Sequence, residues 1–242
     1  MRALALGYER LCRGILLVAV VNALIVVHAL LGLMLLGLFP AVAAAMTTLR
    51  SALLDEDRTG GVMHTVRLFH GAWRAELGPA NRLGWAQLVA GALLAWDYYL
   101  VNWNPLGGTL GIAVSGILLL VLAGYAVVCL ISWVVHAHVD AGAVPAMRMS
   151  ALLALTRPLC AVGVAVAAGA VVASWRAWPG VGLAFGPAML LGAVLLVVAV
   201  AGRVEGLRLA GLHSFGGHRG QIEVAHAEDD ESSRAPATAL SA

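Results

Sequence analysis

Lysine is missing from this chain: all fifteen basic residues are arginine, a usage that points to a GC-rich coding sequence rather than to a mechanism. Charge of either sign is scarce. Only 12% of the 242 residues are charged, against roughly 25% in ordinary soluble domains, and aromatic residues make up 6%. A soluble domain of this length has too much surface to cover with so few polar side chains. A net charge of +2 supplies no basic face for nucleic acid. Cysteine is equally sparse. Cys12, Cys129 and Cys160 have neither metal-ligand nor redox spacing, and two of them lie in apolar runs where a thiol behaves as a small hydrophobe. Phosphate loops, nucleophile elbows and paired zinc-ligand motifs are absent from the sequence. No catalytic site, metal or cofactor is expected, so the chain is not read as an enzyme.

What the chain has in abundance is apolar residues, 61% of the total, with a mean hydropathy of +0.90. Several runs approach the ~20 residues that cross a bilayer core, so the predicted fold is all-α, a polytopic helical membrane protein whose solvent is mostly lipid. Arg2, Arg10 and Arg13 precede the first run, 14–38, with Tyr8 to Leu11 forming the interfacial turns of the same helix. A cleavable leader is excluded by length, since 25 residues far exceed the ~7–15 of a signal peptide's apolar core. Gly37-Leu38-Phe39-Pro40-Ala41 then breaks the run, because Pro40 lacks a donor and disfavours helix at Phe39. Residues 41–54 follow, short for a span and too apolar for a loop.

Further spans are predicted at 83–101, 110–135, 158–175 and 181–201, the last interrupted by Gly186-Pro187. Residues 62–77 and 140–157 read as amphipathic cytoplasmic inserts, the first with Val62, Val66, Phe69 and Trp73 on one side. Asn104-Pro105 and Gly107-Gly108 mark a turn, and the acidic, Ser- and Ala-rich tail over 206–242 is expected to be disordered.

Arginine placement decides the number of spans. With five spans and a cytoplasmic N-terminus, Arg50, Arg58, Arg67, Arg74 and Arg82 would lie outside, against the positive-inside bias. If 41–54 is a short return span, fourteen of the fifteen arginines are cytoplasmic and only Arg176 is outside. About six spans are therefore predicted, with both termini in the cytoplasm of a bacterial inner membrane. The rival is a re-entrant half-helix over 41–54, sheltered within protein.

The residues that break the first run also carry a resemblance. Leu30-Leu31-Gly32-Leu33 and Gly37-Leu38-Phe39-Pro40-Ala41, followed by Leu49-Arg50, are similar to the opening of the YesL family, domain of unknown function 624. Asn22, Phe69, Trp73, Asn81, Gly84 and Asp97 fit the same pattern, as do His138-Val139-Asp140 and Arg157-Pro158, so that the resemblance runs through about 15–205. It implies a small bacterial integral membrane protein without established activity. Members are associated with carbohydrate uptake, which implies an accessory or regulatory role beside a sugar ABC transporter permease.

Three polar residues within apolar runs are candidate functional residues: Asn22, His28 and Asp97. Intramembrane polar groups face a bundle interior or a cavity, so a solute path is one reading and interhelical hydrogen bonding the other. Asn22 and His28 stand about 240° apart on a helix and share no face. Asp97, among Trp96, Tyr98 and Tyr99, is read as an interfacial anchor or as a site for a sugar hydroxyl. His136 and His138 fit a helix C-terminus, where a protonated ring is favourable. The expected function is an accessory membrane component. The alternative is a small-solute transporter or channel with these three residues in its path. Partners are the lipid bilayer and, through the resemblance, a sugar permease; the oligomeric state is unspecified.

Overall fold

The computed structural model describes residues 2–54, 61–103, 108–139 and 142–201. The charged stretch 55–58, the turn at 104–107, Asp140 and the tail 206–242 lie outside the described residues. All regular structure among those described is helical: α1 (Arg2–Leu31), α2 (Leu38–Leu54), α3 (Val62–Ala75), α4 (Pro79–Trp103), α5 (Gly108–His136), α6 (Ala143–Thr156), α7 (Pro158–Ala177) and α8 (Pro179–Ala201).

Four of these helices are long and apolar enough to cross a membrane, within Leu11–Leu31, Thr109–His136, Pro158–Ala177 and Pro179–Ala201. The run expected over 83–101 is a 25-residue helix, α4, whose Gln87, Asp97 and aromatic residues dilute its apolar character. α2 and α6 are shorter apolar helices.

The core is built on the shortest of the N-terminal apolar segments. α2 packs against α1, α3, α4, α5 and α8. Ala41, Ala43, Ala44, Ala45 and Met46 are buried along it, and small side chains let neighbouring helices approach closely where no hydrophobic drive separates protein from lipid. At 17 residues α2 is about 25 Å long, short for a bilayer core but shielded over most of its surface. The break before it lies earlier than expected. α1 ends at Leu31 rather than 38, residues 32–37 turn, and Pro40 occupies the first turn of α2, where its missing N–H costs no helical bond.

α8 runs antiparallel to α1. Its early residues Leu183 and Ala184 meet Asn22, while Leu195 and Leu196 lie with Leu16 and Leu17. The start of α1's apolar stretch and the end of α8 therefore sit on the same side. The predicted interruption of α8 is present: Gly186 leaves helical geometry just before Pro187. α4 and α5 pair as an antiparallel hairpin through Gln87–Ser132 and Asn102–Ser115, and beyond Gln87 no residue of α4 is buried.

One expectation for the inserts is extended and one corrected. α3 is amphipathic, as predicted, and it packs against α1 and α2. It starts beside Arg13, Gly14 and Ser51 and ends beside His28 and Gly37, so it runs alongside α1 toward the α1–α2 turn. Arg74 and Arg82 thus follow the chain to the turn end, away from Arg13. α6 is not amphipathic: Arg148 is its one charged residue, and Val144, Met149, Leu152 and Leu155 are all exposed.

Candidate functional site

Around the turn at 32–37, residues scattered over 57 positions of sequence, from His28 to Gly84, come together. Leu33 and Met34 both adopt left-handed backbone, with φ of 53° and 62°, and the Met34 N–H bonds the Ala29 carbonyl at 2.7 Å to close the end of α1. Two glycines permit the reversal. A methyl group on Gly32 would lie 2.2 Å from the Gly37 Cα, and one on Gly37 would lie 2.5 Å from the His28 carbonyl.

Leu33, Met34, Leu35 and Leu36 present their side chains outward from this turn. An apolar turn placed against lipid finds no water for its backbone, so its carbonyls need partners within the protein. Backbone N–H groups serve the carbonyls of Gly32, Leu33, Met34 and Gly37, and two side chains add to them. The Trp73 indole N–H donates to the Gly37 carbonyl at 3.3 Å, and the Asn81 amide donates to the Leu36 carbonyl at 2.9 Å and to Leu77 at 2.7 Å. Phe39 then fills the space left by Gly84, where a methyl group would sit 2.1 Å from its ring, and packs against Trp85 and Trp133.

His28 closes the other side. Its Nδ1–H donates to the Leu24 carbonyl at 2.9 Å, so in the neutral ring Nε2 is the acceptor for the Nδ1–H of His70, 3.1 Å away. Phe69 and Trp73 flank the same imidazole. Below, His136 donates from Nε2 to Glu76 at 2.9 Å.

Asn22 is elsewhere. Its Nδ2 donates at 3.1 Å to each of the carbonyls of Leu183 and Ala184 on α8. Pro187 has no N–H to offer the carbonyl four residues before it, so Asn22 replaces the helix's own donor at the break. Asp97 is exposed on α4 and joins neither group. Beside it Trp96, Tyr99 and Trp103 stack along one stripe of the helix, as an interfacial aromatic belt would.

The three candidates are therefore not brought to one place: Asn22 binds α8, His28 binds α3 and Asp97 faces outward. Partners that sequence reasoning missed are His70, Glu76 and Arg50, whose guanidinium donates to the Ala137 carbonyl at 3.1 Å. Such long-range pairs have no local signature; His70 and Glu76 stand in the amphipathic α3 region with nothing to single them out. His138 departs from its expected role. Burial, aided by the nearby Arg50 charge, holds the imidazole below its ordinary pKa against the opposing pull of its bond to the Val134 carbonyl, so the neutral ring is favoured. Among the described residues, no three His, Cys, Asp or Glu side chains are grouped to hold a metal ion.

No curated protein and no solved structure matches the chain. The residues around the turn, from His28 through Gly37–Ala41, Phe69, Trp73 and Asn81 to Gly84, all fall inside the one matched segment, which is narrower than the resemblance expected over 15–205. Over residues 18–98 the chain is similar to the family described as "Protein of unknown function, DUF624".

Proposed function

We propose that this protein is a polytopic bacterial membrane protein that acts as an accessory or regulatory component and carries no solute itself. The observation that carries this reading is the employment of the two buried polar residues of α1: Asn22 is committed to the break in α8, and His28 to Leu24 and His70. A transport path would leave such groups facing a cavity, whereas here they join helices to one another. The α4–α5 hairpin, with no buried residue between Thr109 and Leu130 or beyond Gln87, supplies apolar surface for a partner's membrane helices.

The membrane arrangement we infer is six embedded helices, α1, α2, α4, α5, α7 and α8, with both termini cytoplasmic. The antiparallel pairing of α1 with α8 supports termini on one side; that this side is cytoplasmic rests on Arg2, Arg10 and Arg13 preceding the apolar stretch of α1. The link to carbohydrate uptake, and to a sugar ABC permease as partner, rests on family resemblance.

Affinity purification of the full chain from native membranes tests the reading. Recovery of a sugar permease in stoichiometric amount is the expected result. A protein that purifies alone and moves solute in liposomes would overturn it in favour of a transporter or channel.

A further inference from the structure

The pairing of α4 with α5 fixes the depth of Asp97. The Gln87 amide donates to the Ser132 hydroxyl at 2.6 Å, and the Ser115 hydroxyl donates to the Asn102 carbonyl at 3.3 Å. Between those two bonds, Asp97 is level with Leu120 and Val121 of α5. The membrane-competent stretch of α5 runs from Thr109 to His136, so Asp97 stands about 16 Å from one end of it and about 24 Å from the other. That stretch is longer than a bilayer core of roughly 30 Å. Even with the whole excess emerging at the hairpin tip, Asp97 lies about 6 Å inside the hydrocarbon. An aspartate has no long stem with which to reach back to the headgroups, as Lys and Arg do.

The carboxylate is also uncompensated. Its side chain is exposed and, among the described residues, has no hydrogen-bond or ion-pair partner. Leu93 and Leu100, one turn to either side on the same face, are exposed, and Trp96, Tyr99 and Trp103 stack along the adjoining stripe from this depth to the tip. An apolar face rich in Trp and Tyr has the composition of an interface core. A lone charge at its edge is costly in lipid and is relieved by an opposite charge at the same depth.

Charge decides the occupant. In the embedded helices of this chain, Arg2, Arg10 and Arg13 precede or open the apolar stretch of α1, Arg82 and Arg176 stand near helix ends, and Arg50 donates to the Ala137 carbonyl. A second copy of the chain therefore brings no arginine to this depth. We propose that this face of α4 docks a membrane helix of a different protein, one that carries an Arg or Lys within its apolar stretch and pairs it with Asp97. The proposal rests on the accessory reading above and names the surface and the charge by which that partner is held.

Model transmembrane peptides of Leu and Ala, differing only in an Arg or a Met at the central position, serve as probes. Energy transfer between labelled peptide and labelled full chain in lipid nanodiscs reads their association. The Arg peptide is expected to associate about tenfold more tightly than the Met peptide. Asp97→Asn should erase that difference without lowering the melting temperature, because the side chain is exposed, and Asp97→Arg should reverse it. Equal association of the two peptides with the unaltered protein would overturn the proposal, as would a preference for the Arg peptide that survives Asp97→Asn. Depth has its own check: with Cys12, Cys129 and Cys160 replaced by alanine, Asp97→Cys in vesicles should be protected from a water-soluble maleimide, and ready labelling would make position 97 an interfacial anchor and overturn the proposal. In native membranes, a photocrosslinker at Leu93 should join an apolar segment containing Arg or Lys, whereas a crosslink to a second copy of this chain would overturn the proposal. The peptides stand in for the native partner, so these outcomes are separate from whether a sugar permease is recovered.

Discussion

Asn22 on α1 donates an amide hydrogen to the carbonyl of Leu183 on α8, 3.1 Å away, and that carbonyl is the one left without a helical donor by Pro187. The polar residue and the helix break therefore explain each other. Asn22→Leu removes the donor that replaces the missing Pro187 N–H at the Leu183 carbonyl, and a loss of about 1–2 kcal/mol in stability is expected in detergent. Pro187→Ala restores the missing donor, so Asn22→Leu should cost much less in that background. Thermal unfolding of the two single variants and the double variant measures the coupling, and strict additivity would contradict the role given to Asn22.

Gly84 and Phe39 give a second test, of packing at the α1–α2 turn. A methyl group at position 84 meets the Phe39 ring at 2.1 Å. Both groups are on helices held by neighbours on several sides, so Gly84→Ala should destabilise by about 1–3 kcal/mol. Phe39→Leu makes room and should recover part of that loss when combined with it. An unaltered melting temperature for Gly84→Ala would show that α4 does not approach the start of α2 this closely.

Trp73→Phe probes the turn's backbone instead. The ring size is nearly kept while the donor to the Gly37 carbonyl is removed, and about 1 kcal/mol should be lost. Adding Asn81→Leu removes the donor to Leu36 and should at least double the effect, because the Leu36 carbonyl, four residues before Pro40, has no helical N–H to fall back on, whereas Gly37 keeps the Ala41 N–H at 3.0 Å. The readout is thermal stability in lipid nanodiscs, where water is kept from the turn.

Much of this architecture was legible because lipid imposes simple rules on sequence. Long apolar runs gave α1, α5, α7 and α8, and Gly186-Pro187 gave the break in α8. The separation of Asn22 from His28 followed from helical angle alone, and their different partners agree with it. The end of α1 was misplaced by several residues, since nothing in Leu33-Met34 advertises left-handed backbone in two non-glycine residues. α6 was misread as amphipathic, although its own residues are apolar nearly all round. The path of α3 could not be read at all: an apolar stripe fixes which side of a helix is covered, but not which neighbour covers it.

That path leads to a prediction about membrane placement. α3 lies along α1 with Phe69 buried and His70 bonded to His28, while Arg67 and Arg74 are exposed. A guanidinium held in hydrocarbon costs about 2.5–3.5 kcal/mol at mid-membrane, so the outer side of α3 must reach headgroups or water. A cysteine at Arg67, in a background where Cys12, Cys129 and Cys160 are replaced by alanine, should react readily with a water-soluble maleimide in reconstituted vesicles. A cysteine at Leu120, exposed on the apolar α5, should not. Equal protection of both positions would place α3 inside the hydrocarbon and require a different account of its arginines.

His138 supplies a pH dependence whose sign follows from its surroundings. The ring lies just past the end of α5, outside the membrane-competent helices, with its Nδ1–H bonded to the Val134 carbonyl at 2.7 Å. Burial first, and the Arg50 charge after it, hold its folded pKa below the ordinary 6.5. Between the depressed folded value and 6.5 the unfolded chain binds more protons than the folded one, so stability rises with pH across that window. The contribution is fully present above about pH 6.5 and is lost as pH falls toward and through the folded value. His138→Gln keeps a side chain able to donate to Val134 but cannot titrate. Melting temperatures followed from pH 8 down to pH 5 should therefore fall more steeply for the unaltered protein than for the variant. Parallel curves would show that another group governs acid sensitivity, and a steeper fall in the variant would reverse the sign assigned to His138.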